Sequence, residues 1–249
     1  MSVKRVLAPL RWSVINTFLF PRTFARTGQF GDGRENAVAD YVIANARQGD
    51  IDDVLDTMDR LAYEKTFLIS VGDRKGELLD AAVKRAGTRL ALELGTYCGY
   101  GALRIARAAP TAQVFSVECA EANAVVARRI WAHAGVEGRV TCMVGMIGDG
   151  GRTLQVLEDR GFDAGALDLL FLDYIKNAYL PDLQSITERG WLHPGSIVVA
   201  DNVRIPGAPK YREYMQQQQG KRFDTIEHNT FGEYQSVVRD LMLESVVLG

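Results

Sequence analysis

The chain has 249 residues, 47% of them hydrophobic, which is enough to bury one sizeable core. Its formal net charge of −2 excludes the basic excess of a general nucleic-acid-binding protein, so we expect a small-molecule partner and no nucleic acid. Cys98, Cys119 and Cys142 are too few and too irregularly spaced for a disulfide framework or a zinc site. We interpret them as small buried side chains in a reducing compartment, and we therefore expect a cytoplasmic protein.

The first part of the chain has an unusual composition. Between Lys4 and Arg26 lie five basic side chains and no acidic one, interleaved with large apolar residues. Two interpretations stay open: a helix making peripheral contact with a membrane surface through residues 4–26, or a helix packed on the domain or frayed from it. The segment lacks the uncharged apolar length of a transmembrane helix and the cleavage site of a secretory signal. We predict an N-terminal extension over residues 1–31 and a single domain over residues 32–249.

Amphipathic helices are predicted next, over residues 36–46, 51–63 and 75–85, from apolar residues at helical spacing. From residue 89 onward, short apolar strands alternate with helices. The strands are LALELG, VFSVE, VTCMVG, LDLLFLD and SIVVAD, and the intervening helices cover residues 102–108, 120–134, 154–160 and 180–189. This alternation predicts an α/β fold with a doubly wound, mostly parallel sheet and helices on both faces. Ligands of such sheets bind at the carboxyl ends of the strands.

The loop after the first of these strands contains Gly95, Gly99 and Gly101 and leads into a helix. Glycines there would let a ligand approach the backbone at the helix N-terminus. Glu118 ends the next strand, where its carboxylate can accept hydrogen bonds from the ribose hydroxyls of an adenosine ligand. A purely structural turn, with a solvated or helix-capping glutamate, is the alternative. The combination favours a nucleoside cofactor.

Two later strands end in acidic residues: Asp173 follows the fourth strand, and Asp201 and Asn202 follow the fifth. The ends of such strands can be neighbours in the sheet, and their oxygen-only donors suit Mg²⁺. The alternative is that the aspartates cap the helices that follow. Lys176 can reach the same cleft as a general base, or it can lie on a solvated face.

Five long segments of the chain resemble the catechol O-methyltransferase family. They are SVGDRKGELLDAAV from Ser70, LELGTYCGYGALRIAR from Leu92, FLDYIKNAYLPD from Phe171, ADNVRIPGAP from Ala200 and FGEYQSVV from Phe231. The resemblance covers residues 36–238 and implies a Rossmann-like class I methyltransferase that works as a monomer. It also implies S-adenosyl-L-methionine and Mg²⁺ as cofactors and a catechol-like diol as acceptor. The segment FLFPRTF before Gly28 is similar to the stretch after the membrane helix of that enzyme's membrane-bound form.

The resemblance implies roles for individual residues. Asp173, Asp201 and Asn202 would hold the magnesium, Lys176 would take the proton from the attacking hydroxyl, and Glu233 would hydrogen-bond the other hydroxyl. The cofactor site would be lined by Val71, Glu93, Gly95, Tyr97, Gly99, Gly101, Glu118, Cys119, Gly145, Met146 and Asp173. The acceptor pocket would be lined by Phe67, Ile69, Tyr174, Ile175, Asn202, Pro206 and Glu233.

Several pocket residues depart from the family pattern. Phe67 and Ile69 stand where tryptophan and methionine are usual, Tyr174 and Ile175 replace histidine and tryptophan, and Gly101 replaces a serine near the methionyl carboxylate. The reshaped walls predict a bulkier or more apolar diol than a simple catecholamine. Two alternatives remain: a cation-dependent methyltransferase of flavonoids or coenzyme A esters, and a non-enzymatic cofactor-binding or scaffold protein. The lysine and the PGAP segment favour the catechol type, and the intact metal triad disfavours the non-enzymatic one.

Overall fold

The structure is a computed structural model that describes residues 29–249. Both interpretations of residues 4–26, membrane contact and a packed or frayed helix, therefore concern residues outside the described part of the chain, as does the FLFPRTF segment. Within residues 29–249, no helix has both the length and the apolar character needed to cross a bilayer.

A seven-stranded sheet runs through the molecule in the order β3-β2-β1-β4-β5-β7-β6. The strands are β1 (Leu90–Leu94), β2 (Gln113–Glu118), β3 (Val140–Val144), β4 (Leu167–Leu172), β5 (Leu192–Ala200), β6 (Phe223–Phe231) and β7 (Arg239–Val247). Strands β1 to β5 pair in parallel, and β7 pairs antiparallel with both β5 and β6. The predicted doubly wound, mostly parallel sheet is confirmed. Its strand order changes direction between β1 and β4, and ligands bind outside such a switch point.

Helices cover both faces of the sheet. They are α1 (Arg34–Asn45), α2 (Ile51–Glu64), α3 (Gly72–Arg85), α4 (Tyr100–Ala108), α5 (Glu121–Ala134), α6 (Arg152–Glu158), α7 (Tyr179–Glu188) and α8 (Pro209–Gln217). Residues of α1 to α5 form one buried core, and residues of α6 to α8 form the other. Because side chains alternate along a strand, adjacent Ala91 and Leu92 of β1 enter opposite cores.

The carboxyl-terminal part of the fold contains elements that the apolar pattern does not predict. Helix α8 and the antiparallel pair β6 and β7 follow the last predicted strand. Strand β6 is only partly buried along most of its length, and β7 buries Asp240 and Glu244 among its apolar residues. Neither strand therefore shows the continuous apolar run of a doubly covered parallel strand. The segment that joins β6 to β7, between residues 231 and 239, lies at the edge of the sheet where the parallel strands have their carboxyl ends. We call this the ligand edge.

Candidate active site

The glycine loop, residues 95–101, joins β1 to α4 at the switch point. Gly95 donates its amide hydrogen to Val117 O of β2 at 2.9 Å, and Asp173 donates its own to Leu94 O of β1 at 2.9 Å. Gly95 has a φ of +104°, and a Cβ there would collide with the carbonyl of Asp173. The ends of β1 and β4 are thus held in direct backbone contact, which only glycine permits.

The other two glycines of the loop are explained by the packing of protein atoms. A Cβ on Gly99 would collide with the Trp131 indole, whose Nε1 donates to Gly99 O at 2.9 Å. Gly101 lies inside the first turn of α4, and a Cβ there would collide with the Glu93 carboxylate. Protein packing therefore requires glycine at both positions, and their contact with a ligand stays a prediction.

Two buried glutamates, Glu93 of β1 and Glu118 of β2, lie beside the loop. Glu118 accepts hydrogen bonds from Tyr97 N at 2.9 Å and from Ala120 N at 2.8 Å, so its carboxylate ties the end of β2 to the glycine loop. Glu93 accepts a short hydrogen bond from Ser116, and burial raises the pKa of Glu93 well above its usual value. The structure therefore places both carboxylates where the sequence predicts the cofactor site.

The remaining predicted cofactor residues lie at the same edge. Gly145 donates to Glu118 O at 2.9 Å, and Met146 follows it as an exposed side chain. Val71 is buried immediately before α3, where Gly72 opens the helix. The expectation of buried cysteines holds for Cys98 and Cys142, but Cys119, directly after β2, is exposed.

The predicted metal ligands come together at the ends of β4 and β5. Asp201 donates its amide hydrogen to Leu172 O at 2.9 Å, which fixes the end of β5 beside the end of β4. Lys176 Nζ lies 3.3 Å from Asp173 Oδ1 and 3.3 Å from Asn202 Oδ1, so one ammonium group contacts ligands from both strands. The expected proximity of these strand ends is confirmed.

Lys176 faces this cluster and does not lie on a solvated face. Its Nζ donates to Tyr179 Oη at 2.6 Å, and Tyr179 donates in turn to Leu172 O and Asp201 O at 2.8 and 3.0 Å. The Lys176 side chain is 13% exposed, which leaves it a narrow route to the cleft. The lysine is thus held on its short turn by groups at the ends of both β4 and β5.

A second lysine, which the sequence interpretation treated as part of an ordinary amphipathic helix, completes the cluster. Lys75 of α3 is 1% exposed, and its Nζ lies 2.7 Å from Asp201 Oδ1, 2.5 Å from Glu233 Oε1 and 3.2 Å from Asp240 Oδ2. Asn202 Nδ2 also donates to Glu233 Oε1 at 2.6 Å and to Asp240 Oδ2 at 2.9 Å. A usable signal was present, since Lys75 lies on the same helical face as apolar Leu79.

We call Asp173, Asp201, Asn202, Glu233, Asp240, Lys75 and Lys176 the acidic centre. Its four carboxylates and two ammonium groups leave a formal charge of −4 + 2 = −2. Burial raises the pKa of Asp173 and of Asp201, although the nearby lysines oppose the shift. Burial alone would lower the pKa of Lys75, but the four carboxylates of the acidic centre outweigh burial and raise this pKa overall.

The acidic centre fits a divalent cation. Asp201 Oδ2 is buried and has no hydrogen-bond partner among the described residues. Asp173, Asp201 and Asn202 offer oxygen atoms alone, the donor type that Mg²⁺ prefers. A charge of +2 would balance the formal −2, and buried charges require such compensation.

The predicted acceptor-pocket residues differ in their exposure to solvent and in their contacts. Ile175 is 55% exposed beside Lys176, and Pro206 is exposed in the turn Val203–Gly207. Phe67 and Ile69 are partly buried in the segment before α3. Tyr174 instead donates its hydroxyl hydrogen to Asp182 of α7 at 2.6 Å and stacks its ring on Tyr179. Exposed Ile205 and Val237, which the sequence analysis did not name, add apolar surface to neighbouring loops.

The sheet order, the glycine loop and the acidic centre together define a Rossmann-like fold of the type found in O-methyltransferases. The sequence profile described as O-methyltransferase matches residues 47–231, and the chain belongs to this family. It is 69% identical over 228 residues to a probable O-methyltransferase of Mycobacterium tuberculosis, covering 92% of this chain and 98% of that protein. It is 32% identical over 252 aligned positions to the catechol O-methyltransferase of Bos taurus, covering 96% of this chain and 90% of that protein.

Solved structures agree with this assignment. The O-methyltransferase TomG of Streptomyces achromogenes, involved in tomaymycin synthesis and solved with S-adenosylmethionine, has a TM-score of 0.62 at 25% identity, covering 78% of this chain and 89% of TomG. An O-methyltransferase of Bacillus cereus, solved with S-adenosylhomocysteine, has a TM-score of 0.64 at 23% identity, covering 85% of this chain and 97% of that one. The latter likeness concerns the fold.

Proposed function

We propose that this protein is an S-adenosylmethionine- and magnesium-dependent O-methyltransferase that methylates one hydroxyl of a catechol-like vicinal diol. The observation that carries the proposal is the acidic centre, whose Asp173 is in backbone contact with the glycine loop through Gly95. The 32% identity with a catechol O-methyltransferase over most of both chains supports the acceptor class. The complex of TomG with S-adenosylmethionine supports the cofactor.

The cofactor half of the site consists of the glycine loop with Glu93, Glu118 and the segment after β3. S-adenosylmethionine supplies a methyl group activated by its sulfonium, so the protein has mainly to align donor and acceptor. Glu118 already holds the loop through Tyr97 N, and its carboxylate is placed to accept from ribose hydroxyls as well. The rigid backbone contact at Gly95 then fixes the donor relative to Asp173.

Asp173, Asp201 and Asn202 would hold the magnesium. Bound there, Mg²⁺ supplies Lewis acidity that favours ionisation of a diol hydroxyl and restricts the acceptor to one geometry. Glu233, held by Lys75 and Asn202, is the carboxylate placed to accept a hydrogen bond from the second hydroxyl. A monophenol lacks that second hydroxyl, and this arrangement selects against it.

Lys176 is the proposed general base. Its ammonium group first releases a proton to water, and the neutral amine then accepts the proton of the attacking hydroxyl while the oxygen forms a bond to the methyl carbon and the carbon–sulfur bond breaks. The sulfur keeps the bonding electron pair, so the products are the methyl ether, S-adenosylhomocysteine and a protonated lysine. The contacts of Lys176 with Asp173 and Asn202, two of the residues proposed to hold the magnesium, support this role.

The test is methyl transfer from labelled S-adenosylmethionine to a panel of catechols, monophenols, flavonoids and a phenolic coenzyme A ester, with Mg²⁺ or with chelator. We expect catechols to be methylated only with Mg²⁺ and monophenols not at all. Transfer to monophenols, or transfer that chelator does not reduce, would contradict the chelating mechanism. Preference for the flavonoid or the coenzyme A ester would keep the metal chemistry and reject the catechol assignment.

A further inference from the structure

Lys75 is an unusual residue for the interior of a protein. Its ammonium group lies on the core-facing side of α3 and contacts carboxylates from three other segments: Asp201 after β5, Glu233 after β6 and Asp240 in β7. Removing an ammonium group from water costs several kcal/mol, and ion pairs of this kind often add no net stability over apolar packing. This environment therefore points to a role in the site.

The three carboxylates around Lys75 form a group that could itself hold a cation. One oxygen from each of Asp201, Glu233 and Asp240 lies within 4.8 Å of the others, a spacing compatible with a shared metal ion. Lys75 Nζ lies within 3.2 Å of all three residues. The lysine ammonium group thus contacts all three carboxylates that such an ion would need as ligands.

Asp201 belongs both to the three carboxylates around Lys75 and to the residues proposed to hold the magnesium. Its Oδ1 pairs with Lys75 at 2.7 Å and also accepts from Asn202 N at 2.7 Å, whereas its buried Oδ2 has no hydrogen-bond partner among the described residues. One oxygen is therefore committed to the internal ammonium group. The other remains for the metal assigned to Asp173, Asp201 and Asn202.

We propose that Lys75 is a positioning residue whose ammonium group takes the place of a second metal ion. It keeps the divalent cation on the Asp173 side of Asp201 and holds Glu233 ready for the acceptor. The inference rests on the proposed function, because it assumes that a metal binds at Asp173, Asp201 and Asn202. Without Lys75 the formal charge of the centre would change from −2 to −4 + 1 = −3, and three clustered carboxylates would lose their shared partner.

The experiment counts bound Mn²⁺, a paramagnetic ion that accepts similar oxygen ligands, by electron paramagnetic resonance of the free ion during titration. Four full-length proteins are compared: wild type, Lys75→Ala, the double variant Lys75→Ala/Asp240→Asn, and Lys84→Ala. Lys84 is an exposed lysine of the same helix and serves as the matched control.

We expect wild type and Lys84→Ala to bind the same number of ions and Lys75→Ala to bind one more. The double variant, whose charge returns to −2, should bind the wild-type number. With Mg²⁺ present, Lys75→Ala should also raise the KM for the diol more than it lowers kcat, because Glu233 loses an anchor. An unchanged number of ions in Lys75→Ala, together with an unchanged KM, would overturn the proposal.

Loss of folding in Lys75→Ala also gives a decisive result. Since a divalent ion can replace the missing charge, added Mn²⁺ or the Asp240→Asn change should then restore folding, whereas failure of both would overturn the proposal. Failure of the proposed function is distinguishable, because wild type itself would then bind no Mn²⁺.

Discussion

The two halves of the ligand edge are built by different means. The cofactor half is held together by backbone contacts and tightly packed glycines in one loop. Glu118 fixes that loop by accepting a hydrogen bond from the amide of Tyr97. The acidic centre is built from charged side chains of α3, the β4 and β5 ends and the β6–β7 pair. The first half relies on shape and the second on charge balance. Substitutions should therefore affect the first half through packing and the second through ion binding and proton transfer.

The largest effect is expected for Asp173→Asn, because the change weakens a proposed metal ligand and removes a carboxylate partner of Lys176. The loss in kcat/KM should exceed that produced by changing the proposed general base, which is typically about 10²–10⁴-fold. Mn²⁺ titration should show weakened binding. Asp163→Asn, at an exposed position, is the control and should leave both quantities unchanged. Wild-type Mn²⁺ affinity in Asp173→Asn would contradict the ligand assignment.

Lys176→Met should lower kcat by about 10²–10⁴-fold, since the hydroxyl loses its proton acceptor. Binding of S-adenosylmethionine, measured by calorimetry, should stay unchanged because the cofactor half does not depend on this charge. The matched control is Lys210→Met, a lysine exposed near the start of α8. A variant that lost cofactor affinity and kept its turnover would show that the two halves are not separable in this way.

Gly95→Ala tests the point where the halves meet. A Cβ would collide with the Asp173 carbonyl, and the φ of +104° disfavours any other residue, so the strand ends must separate. We expect a loss of about 3 kcal/mol in the free energy of unfolding, measured with denaturant, as for other severe backbone substitutions. Gly138→Ala, where a Cβ meets no atom within 4 Å, is the control. Similar stability of the two variants would contradict the close approach.

Asp59 of α2 connects the two halves of the site. It accepts hydrogen bonds from Tyr100, which lies in the glycine loop, and from Tyr234, which follows Glu233, each at 3.0 Å. Burial raises its pKa to about 6, and the nearby charge of Asp73 adds to the shift, whereas the two tyrosine hydrogen bonds and Arg104 oppose it. The folded state thus binds this proton more tightly than the unfolded state does. The stability that Asp59 contributes is present below about pH 4 and is lost as the pH rises toward 6.

The measurement is the free energy of unfolding of wild type minus that of Asp59→Asn across this pH range. A shift of this size corresponds to a fall of about 2 kcal/mol between pH 4 and pH 6, and the measured fall should be smaller, about 1 kcal/mol, because Asp59 keeps some contact with solvent. Asp56→Asn, an exposed carboxylate of the same helix, should show a much smaller slope. A flat difference for Asp59→Asn would reject the raised pKa.

The sequence predicted the parallel part of the sheet because each of its strands is a short apolar run between helices. It also placed Asp173, Asp201 and Asn202 correctly at adjacent strand ends, since parallel strands present their carboxyl ends at one edge. The sequence did not show why the glycines are needed, because the absence of a side chain can make room either for a bound ligand or for a neighbouring indole. Gly99 contacts the indole of Trp131.

The rest of the acidic centre could not be predicted from local patterns. Asp240 lies in a strand without a continuous apolar run, and Lys75 lies 126 positions before Asp201 (201 − 75), so their pairing appears only in the folded chain. Lys75 could have been suspected from its place on an apolar helical face. No local pattern would have named its three partners.

The position of β7 between β5 and β6 has a consequence for biosynthesis. A ribosome releases the parallel strands and the glycine loop well before it makes Glu233 and Asp240, so the nascent domain carries the buried lysine before two of its three counterions exist. During that interval β5 presents an unpaired edge, which is prone to association with other chains. The last strand therefore closes the sheet and completes the acidic centre at the same moment, and a product truncated before residue 233 should fail quality control rather than accumulate as a partly active enzyme.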